Sequence, residues 1–150
     1  MEIYIITGAP DAKKSSVIRA LTGVRDSKQF NVTFKHGVKS VWIETTSPNE
    51  ISSTKFPKGI SPNELIKYLK SKKVDAVIIP LRSSSSKFAL PLADVYINKL
   101  NGVGFTIHKV IMFNESIAVP VGISTDLFHN TKGTPANELA NRIRKIWGIL

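Results

Sequence analysis

The segment Gly8-Ala9-Pro10-Asp11-Ala12-Lys13-Lys14-Ser15-Ser16 holds the residue types and spacing best suited to chemistry in this chain. Gly8, Lys14 and Ser15 fall on the first, seventh and eighth positions of the spacing G-x-x-x-x-G-K-S/T. In that arrangement backbone N–H groups and a helix N-terminus cradle phosphate oxygens, the lysine reaches the terminal phosphates and the hydroxyl binds Mg²⁺. Lys13 stands where the second glycine belongs. A side chain there adds bulk where the backbone must approach its ligand closely, and it also adds a positive charge that favours an anion. Gly8, Lys13, Lys14, Ser15 and Ser16 are therefore the candidate phosphate-binding residues, with Ser15 also a candidate metal ligand.

Other chemistry is sparse. His36, His108 and His129 are far apart and lack metal-ligand spacing, and they have no patterned acidic partners for a Ser-His-Asp arrangement. The chain has no cysteine, which excludes disulfides, thiolate nucleophiles and thiolate metal sites, and fits a reducing compartment. Ser83 to Ser86 read as a solvated polar loop, and Trp42 and Trp147 as core or half-buried aromatics. The formal net charge is +10 and the pI about 10.0, a balance that attracts acidic partners, nucleic acid among them. The densest basic stretch, Lys67, Lys70, Lys72 and Lys73, falls at the end of a predicted helix, where cations complement the helix dipole.

Those residues must be positioned by regular elements, and the 150-residue chain reads as one domain. Glu2 to Thr7 is nearly all apolar and reads as a buried strand, followed by the loop Gly8 to Ser16 and a short helix, Ser16 to Leu21, stopped by Gly23. Phe30 to Phe34 and Ser40 to Thr45 form a hairpin around His36-Gly37. Ser61, Pro62 and Glu64 make a capping box ahead of a helix whose apolar face holds Leu65, Ile66 and Leu69. Val74 to Leu81 is a buried strand, and Leu92, Val95, Tyr96 and Leu100 recur at helical spacing up to Gly102. Phe105 to Phe113 and Ala118 to Ile123 read as strands. Thr134-Pro135 then opens a helix with Leu139, Ile143 and Trp147 on its apolar face. The alternation predicts an α/β fold: a mostly parallel sheet with helices on both faces and one antiparallel edge strand. Ligands in such sheets bind beyond the carboxyl ends of the strands, here the ends near Thr7, Thr45, Leu81, Phe113 and Ile123. No apolar run approaches the ~20 residues that span a bilayer, and the start lacks signal-peptide features, so a soluble cytoplasmic protein is expected.

Lys14-Ser15-Ser16-Val17-Ile18-Arg19-Ala20-Leu21-Thr22-Gly23 resembles the loop-to-helix segment of P-loop GTPases, and the order of elements after it resembles their G domain. Val41 to Ser47 is similar to the strand leading into D-x-x-G, with Glu44 in place of Asp and Ser47 in place of Gly. By this resemblance Glu44 is a second candidate metal ligand. Val110 to Ser116 resembles the strand leading into N-K-x-D. Asn114 matches and is placed near a base, while Glu115 replaces Lys and Ile117 the Asp that reads guanine. Val121 to Thr125 looks like the last motif of the domain. The altered positions imply a pseudo-GTPase: a binding or regulatory protein with weak or absent hydrolysis, taking GTP, GDP or ATP with Mg²⁺ if it takes a nucleotide, and working with a protein partner. Val74 to Arg82 is also similar to a strand of the partitioning ATPases (ParA/MinD-like). An active NTPase and a basic nucleic-acid-binding protein are the alternatives. The second is favoured if Lys67, Lys70, Lys72 and Lys73 share one face with Arg142, Arg144 and Lys145.

Overall fold

The computed structural model describes residues 1–85 and 87–150, so Ser86 of the expected polar loop lies outside the described residues. They form one α/β layer structure with seven strands and four helices. In chain order these are β1 (Glu2–Gly8), α1 (Lys14–Thr22), β2 (Lys28–Phe34), β3 (Gly37–Ile43), α2 (Pro62–Lys70), β4 (Ala76–Arg82), α3 (Ala93–Gly102), β5 (Thr106–Ile107), β6 (Val110–Phe113), β7 (Thr125–Phe128) and α4 (Ala136–Trp147). The strand order is β2-β3-β4-β1-β6-β7, with the short β5 also paired to β1. Only the β2–β3 ladder is antiparallel, so β2 is the antiparallel edge.

β1 is central because it is apolar on both faces. Strand alternation sends Tyr4 and Ile6 into one core with Val17, Ile18 and Leu21 of α1 and Leu139, Ile143 and Trp147 of α4. Ile3 and Ile5 enter the other core, with Leu65 and Leu69 of α2 and Tyr96, Ile97 and Leu100 of α3. Helices thus cover both faces. Each fully buried Ile or Leu contributes roughly 1.5–3 kcal/mol of transfer free energy, and this burial holds the layers together.

The signals at the start of α2 and the end of α1 act as read, whereas Thr134 makes no cap bond to α4, Gly102 lies within α3 and Val95 is exposed. Ser61 Oγ accepts from the Glu64 backbone N–H at 3.3 Å and the Glu64 carboxylate accepts from the Ser61 N–H at 3.2 Å, with Pro62 at the first helical position. Gly23 ends α1 in the left-handed region, at φ 73°, its N–H donating to Arg19 O at 2.8 Å. α1 itself starts at Lys14, two residues before its expected start, because Lys13 supplies the turn into it. The hairpin turn is Lys35-His36, with Phe34 opposite Gly37. Beyond it the end of the chain lies along β2: Gly148 O accepts from Lys35 N–H at 2.8 Å and Thr33 O from Leu150 N–H at 2.9 Å.

Two strand expectations are corrected. Phe105 to Phe113 is not one strand. It breaks at His108-Lys109 into β5, beside Glu2 and Ile3, and β6, beside Ile6 to Gly8. Ala118 to Ile123 forms no strand. Pro120 lacks a donor, Gly122 sits at φ 92° and Val121 is fully exposed, and the last strand is instead β7, Thr125–Phe128. Among the described residues no helix is long and apolar enough to cross a membrane.

Candidate functional site

The parallel strands β4, β1 and β6 end side by side, with Gly8 opposite Arg82 on one flank and Phe113 on the other. Gly8 suits a close approach: a Cβ there would meet the Cβ atoms of Ala12 and Phe113 at a tight 3.1 Å. The chain then turns through Asp11 at φ 63° and Lys13 at φ 74°, both left-handed. Lys13 therefore adopts the backbone conformation for which a glycine is suited, at a cost of about 1–2 kcal/mol for a residue with a Cβ. Its ammonium reaches across to Thr134 O at 2.8 Å, which ties the loop to the segment before α4.

The loop walls a cavity of about 270 Å³ lined by Pro10, Asp11, Ala12, Lys13, Lys14, Ser15, Ser16, Glu50 and Arg82. Of the five residues of the sequence-derived phosphate set, Lys13, Lys14, Ser15 and Ser16 line it and Gly8 does not. Lys14 is 5% exposed, and its ammonium folds back to donate to Gly8 O at 3.0 Å and Ala9 O at 2.9 Å. Burial is the main force on its acidity and lowers its pKa to about 8. Glu50 and Asp11 pull the other way and Arg82 adds to the lowering. Ser15 Oγ donates to Thr45 O at 2.5 Å.

Arg82 and Glu50 were not among the residues expected at the site. The Arg82 guanidinium is held by the Glu50 carboxylate, with Nε donating to Oε2 at 2.7 Å, and by Ser85 O at 2.7 Å. Asn49 fixes the backbone beneath it. Its Oδ1 accepts from Arg82 N–H at 3.0 Å, and its Nδ2 donates to Arg82 O at 3.0 Å and Pro91 O at 3.1 Å, all with no exposure of Asn49. Arg82 follows directly on an apolar strand whose end the sequence marked. Glu50 sits in an ordinary polar turn and gave no signal.

Glu44 is placed elsewhere. Alternation along β3 turns it to the side of Trp42, away from Val41 and Ile43, which pack in the core with α1. Its carboxylate accepts from Ser27 Oγ at 2.7 Å and Trp42 Nε1 at 3.0 Å, and burial raises its pKa. β4 also lies between β3 and β1, so the strand end that flanks the loop presents Arg82 rather than Glu44. Glu44 does not line the cavity. Ser47, which stands in place of the glycine, is fully buried, and its hydroxyl has no partner among the described residues.

Asn114, at φ 65°, lies just past β6 and acts as a tie. Its Nδ2 donates to Thr131 Oγ1 at 2.8 Å and its Oδ1 accepts from Thr131 N–H at 3.1 Å. Thr131 Oγ1 in turn donates to Ala12 O at 3.0 Å. Thr131 is wholly buried and links the ends of β6 and β7 to the loop. Sequence reasoning missed it, because the last strand was expected to end at Ile123. Val121 to Ser124 lead into β7, which begins at Thr125, and Ser124 O accepts from Val110 N–H at the amino end of β6, so that segment stands away from the loop.

Among the described residues there is no group of three or more His, Cys, Asp or Glu able to hold a metal. The basic stretches at the ends of α2 and α4 lie with helices on opposite faces of the sheet and form no common face. No family model, curated protein or solved structure matches this chain.

Proposed function

We propose that the cavity at the end of β1 binds the phosphate groups of a nucleotide, and that the protein works as a binding or regulatory domain of the P-loop GTPase type with little or no hydrolysis. The observation that carries this reading is Lys13 at φ 74°. A lysine in the left-handed region is a costly choice, and it stands where the G-x-x-x-x-G-K-S/T spacing has its second glycine. The open N-terminal turn of α1, with no side-chain cap, and the cations of Lys13, Lys14 and Arg82 add to its suitability for an anion.

Binding needs Lys14 to swing from Gly8 O and Ala9 O toward the ligand. Anion oxygens replace carbonyl oxygens as its acceptors, so its hydrogen bonds are exchanged rather than lost. Arg82 meets the same anion from the β4 side while Glu50 holds it in place.

Weak hydrolysis is supported by two of the carboxylates: Glu50 is committed to Arg82 and Glu44 to Ser27 and Trp42, so of the acidic side chains only Asp11 lines the cavity without an ion pair among the described residues. A Mg²⁺ ion would find Ser15 at the cavity, but Glu44 would have to leave both its partners to join it. The donor set therefore fits an anion better than a resident metal.

Calorimetric titration with GTP, GDP and ATP, with and without Mg²⁺, tests the proposal. Saturable binding of at least one nucleotide that weakens by about 10- to 100-fold in Lys14→Ala is expected, the range set by one charge-assisted hydrogen-bonding group. Absence of binding by the folded wild type sinks the proposal.

A further inference from the structure

The cavity at the end of β1 offers an anion more than its cationic side chains. The backbone N–H groups of Lys14, Ser15 and Ser16, in the first turn of α1, make no hydrogen bond among the described residues. These three residues line the cavity together with Lys13 and Arg82. Free N–H groups in succession at a helix start are suited to successive phosphoryl oxygens. The volume of about 270 Å³ falls below the ~300–1,000 Å³ of pockets that enclose a whole drug-sized ligand. It suits a chain of phosphoryl groups with the nucleoside left outside. None of the lining residues carries an aromatic ring on which a base could stack.

The end of β6, where a base would have to be read, is occupied with other work. Both polar atoms of the Asn114 amide are bonded to Thr131, at 2.8 Å and 3.1 Å. The Glu115 carboxylate accepts from Ser83 Oγ, and Ser83 N–H donates to Gly8 O at 3.0 Å. The polar side chains here therefore join the end of β6 to Thr131 and to the end of β4. Ile117 beyond them has no polar group to offer. A hydrogen bond to a base edge would be made only by giving up one inside the protein, so its net gain is small.

On the phosphate-binding reading of the cavity, on which this rests, we propose that the site selects the phosphate chain itself: a linear triphosphate held through its phosphoryl oxygens, whatever base and sugar it carries and equally when it carries none. The ligand class is an oligophosphate rather than a particular nucleotide. The N–H groups of Lys14, Ser15 and Ser16 and the side chains of Lys13, Lys14 and Arg82 all address phosphoryl oxygens. Affinity therefore grows with the number of phosphoryl groups and is indifferent to what lies beyond them.

The test is calorimetry on the full chain with GTP, ATP, inorganic tripolyphosphate and orthophosphate at one salt concentration, without Mg²⁺. GTP, ATP and tripolyphosphate are expected to bind within about fivefold of one another, less than a single base stacked on a ring would add. Orthophosphate is expected to bind about tenfold more weakly or worse, the size of a lost charge-assisted contact. Tripolyphosphate should displace bound GTP completely, a measurement that needs no variant. Lys14→Ala should weaken tripolyphosphate binding as it weakens GTP binding. A preference of more than about fivefold for either nucleotide overturns the proposal and leaves the phosphate-binding reading standing. So does tripolyphosphate that fails to displace GTP, that binds no better than orthophosphate, or that is unaffected by Lys14→Ala. Failure of every ligand to bind sinks both.

Discussion

The two ends of the sheet are built by different means. At the carboxyl end the cavity is shaped by backbone: Asp11, Lys13 and Asn114 all hold positive φ, and the polar side chains of Asn49, Asn114 and Thr131 are spent on main-chain atoms and on one another. At the amino end a cavity of about 400 Å³ is shaped by rings on regular elements, and its charged groups stay at the rim. A backbone-built site leaves a trace in local sequence, because particular residue types and spacings are needed for each turn. A cavity built by packing leaves almost none, since Tyr4, Phe34, His108 and Trp147 converge only once the whole sheet has formed.

This contrast is sharpest in stability. Asn49→Ala strands the buried N–H and C=O of Arg82 and should cost about 3 kcal/mol, near the upper end for an orphaned buried group, read as a lower denaturant midpoint. A Lys35→Gln, Lys145→Gln protein, altered only at the exposed rim of the amino-end cavity, should stay within about 0.5 kcal/mol of wild type in the same assay. Equal losses at both ends would break the distinction.

Thr131→Val comes next. It removes the hydroxyl that joins Asn114 to Ala12 and should destabilise the protein by roughly 1–3 kcal/mol. It should also weaken nucleotide binding. A protein with unaltered stability would show that the tie is incidental.

The proton on Lys14 offers a finer probe. An anion stabilises the ammonium, so the pKa of Lys14 is higher in the complex than the value of about 8 in the free protein. Affinity should therefore be flat well below pH 8 and fall as pH rises through 8, with a limiting slope of about tenfold per unit. Lys14→Arg should flatten that profile, since a guanidinium keeps its proton. Persistence of the same slope in Lys14→Arg would assign the titration to another group. The smallest effect is expected from Lys13→Gly, which relieves the left-handed strain and gains roughly 1 kcal/mol, less the contact with Thr134 O. A loss of stability there would mean that the Thr134 tether outweighs the strain.

The same contrast explains what could be read in advance. Local rules reached β1, the capping box of α2, the apolar face of α4 and the existence of a loop between β1 and α1, because each is specified within a few residues, though that loop spans residues 9–13 and not Gly8 to Ser16. They failed at β7, where the apolar Ala118 to Ile123 run is interrupted by Pro120 and Gly122 while the pairing segment Thr125 to Phe128 opens on two polar residues. They also failed on spatial order. Nothing local to β3 or β4 says that β4 lies beside β1, yet that order puts Arg82, not Glu44, at the loop. Thr131 stood in a polar stretch indistinguishable from solvated turn.

The placement of β1 has a consequence for how the molecule is made. Ile6 is paired with Pro80 on one side and Ile111 on the other, so the central strand emerges before partners that are encoded far downstream of it. Until they arrive, the run Ile3 to Ile6 has apolar side chains on both faces and unpaired main-chain groups along both edges. Long loops must close before those contacts give any return, so assembly should be slow for a chain of this length, and this one segment should dominate its tendency to aggregate while incomplete.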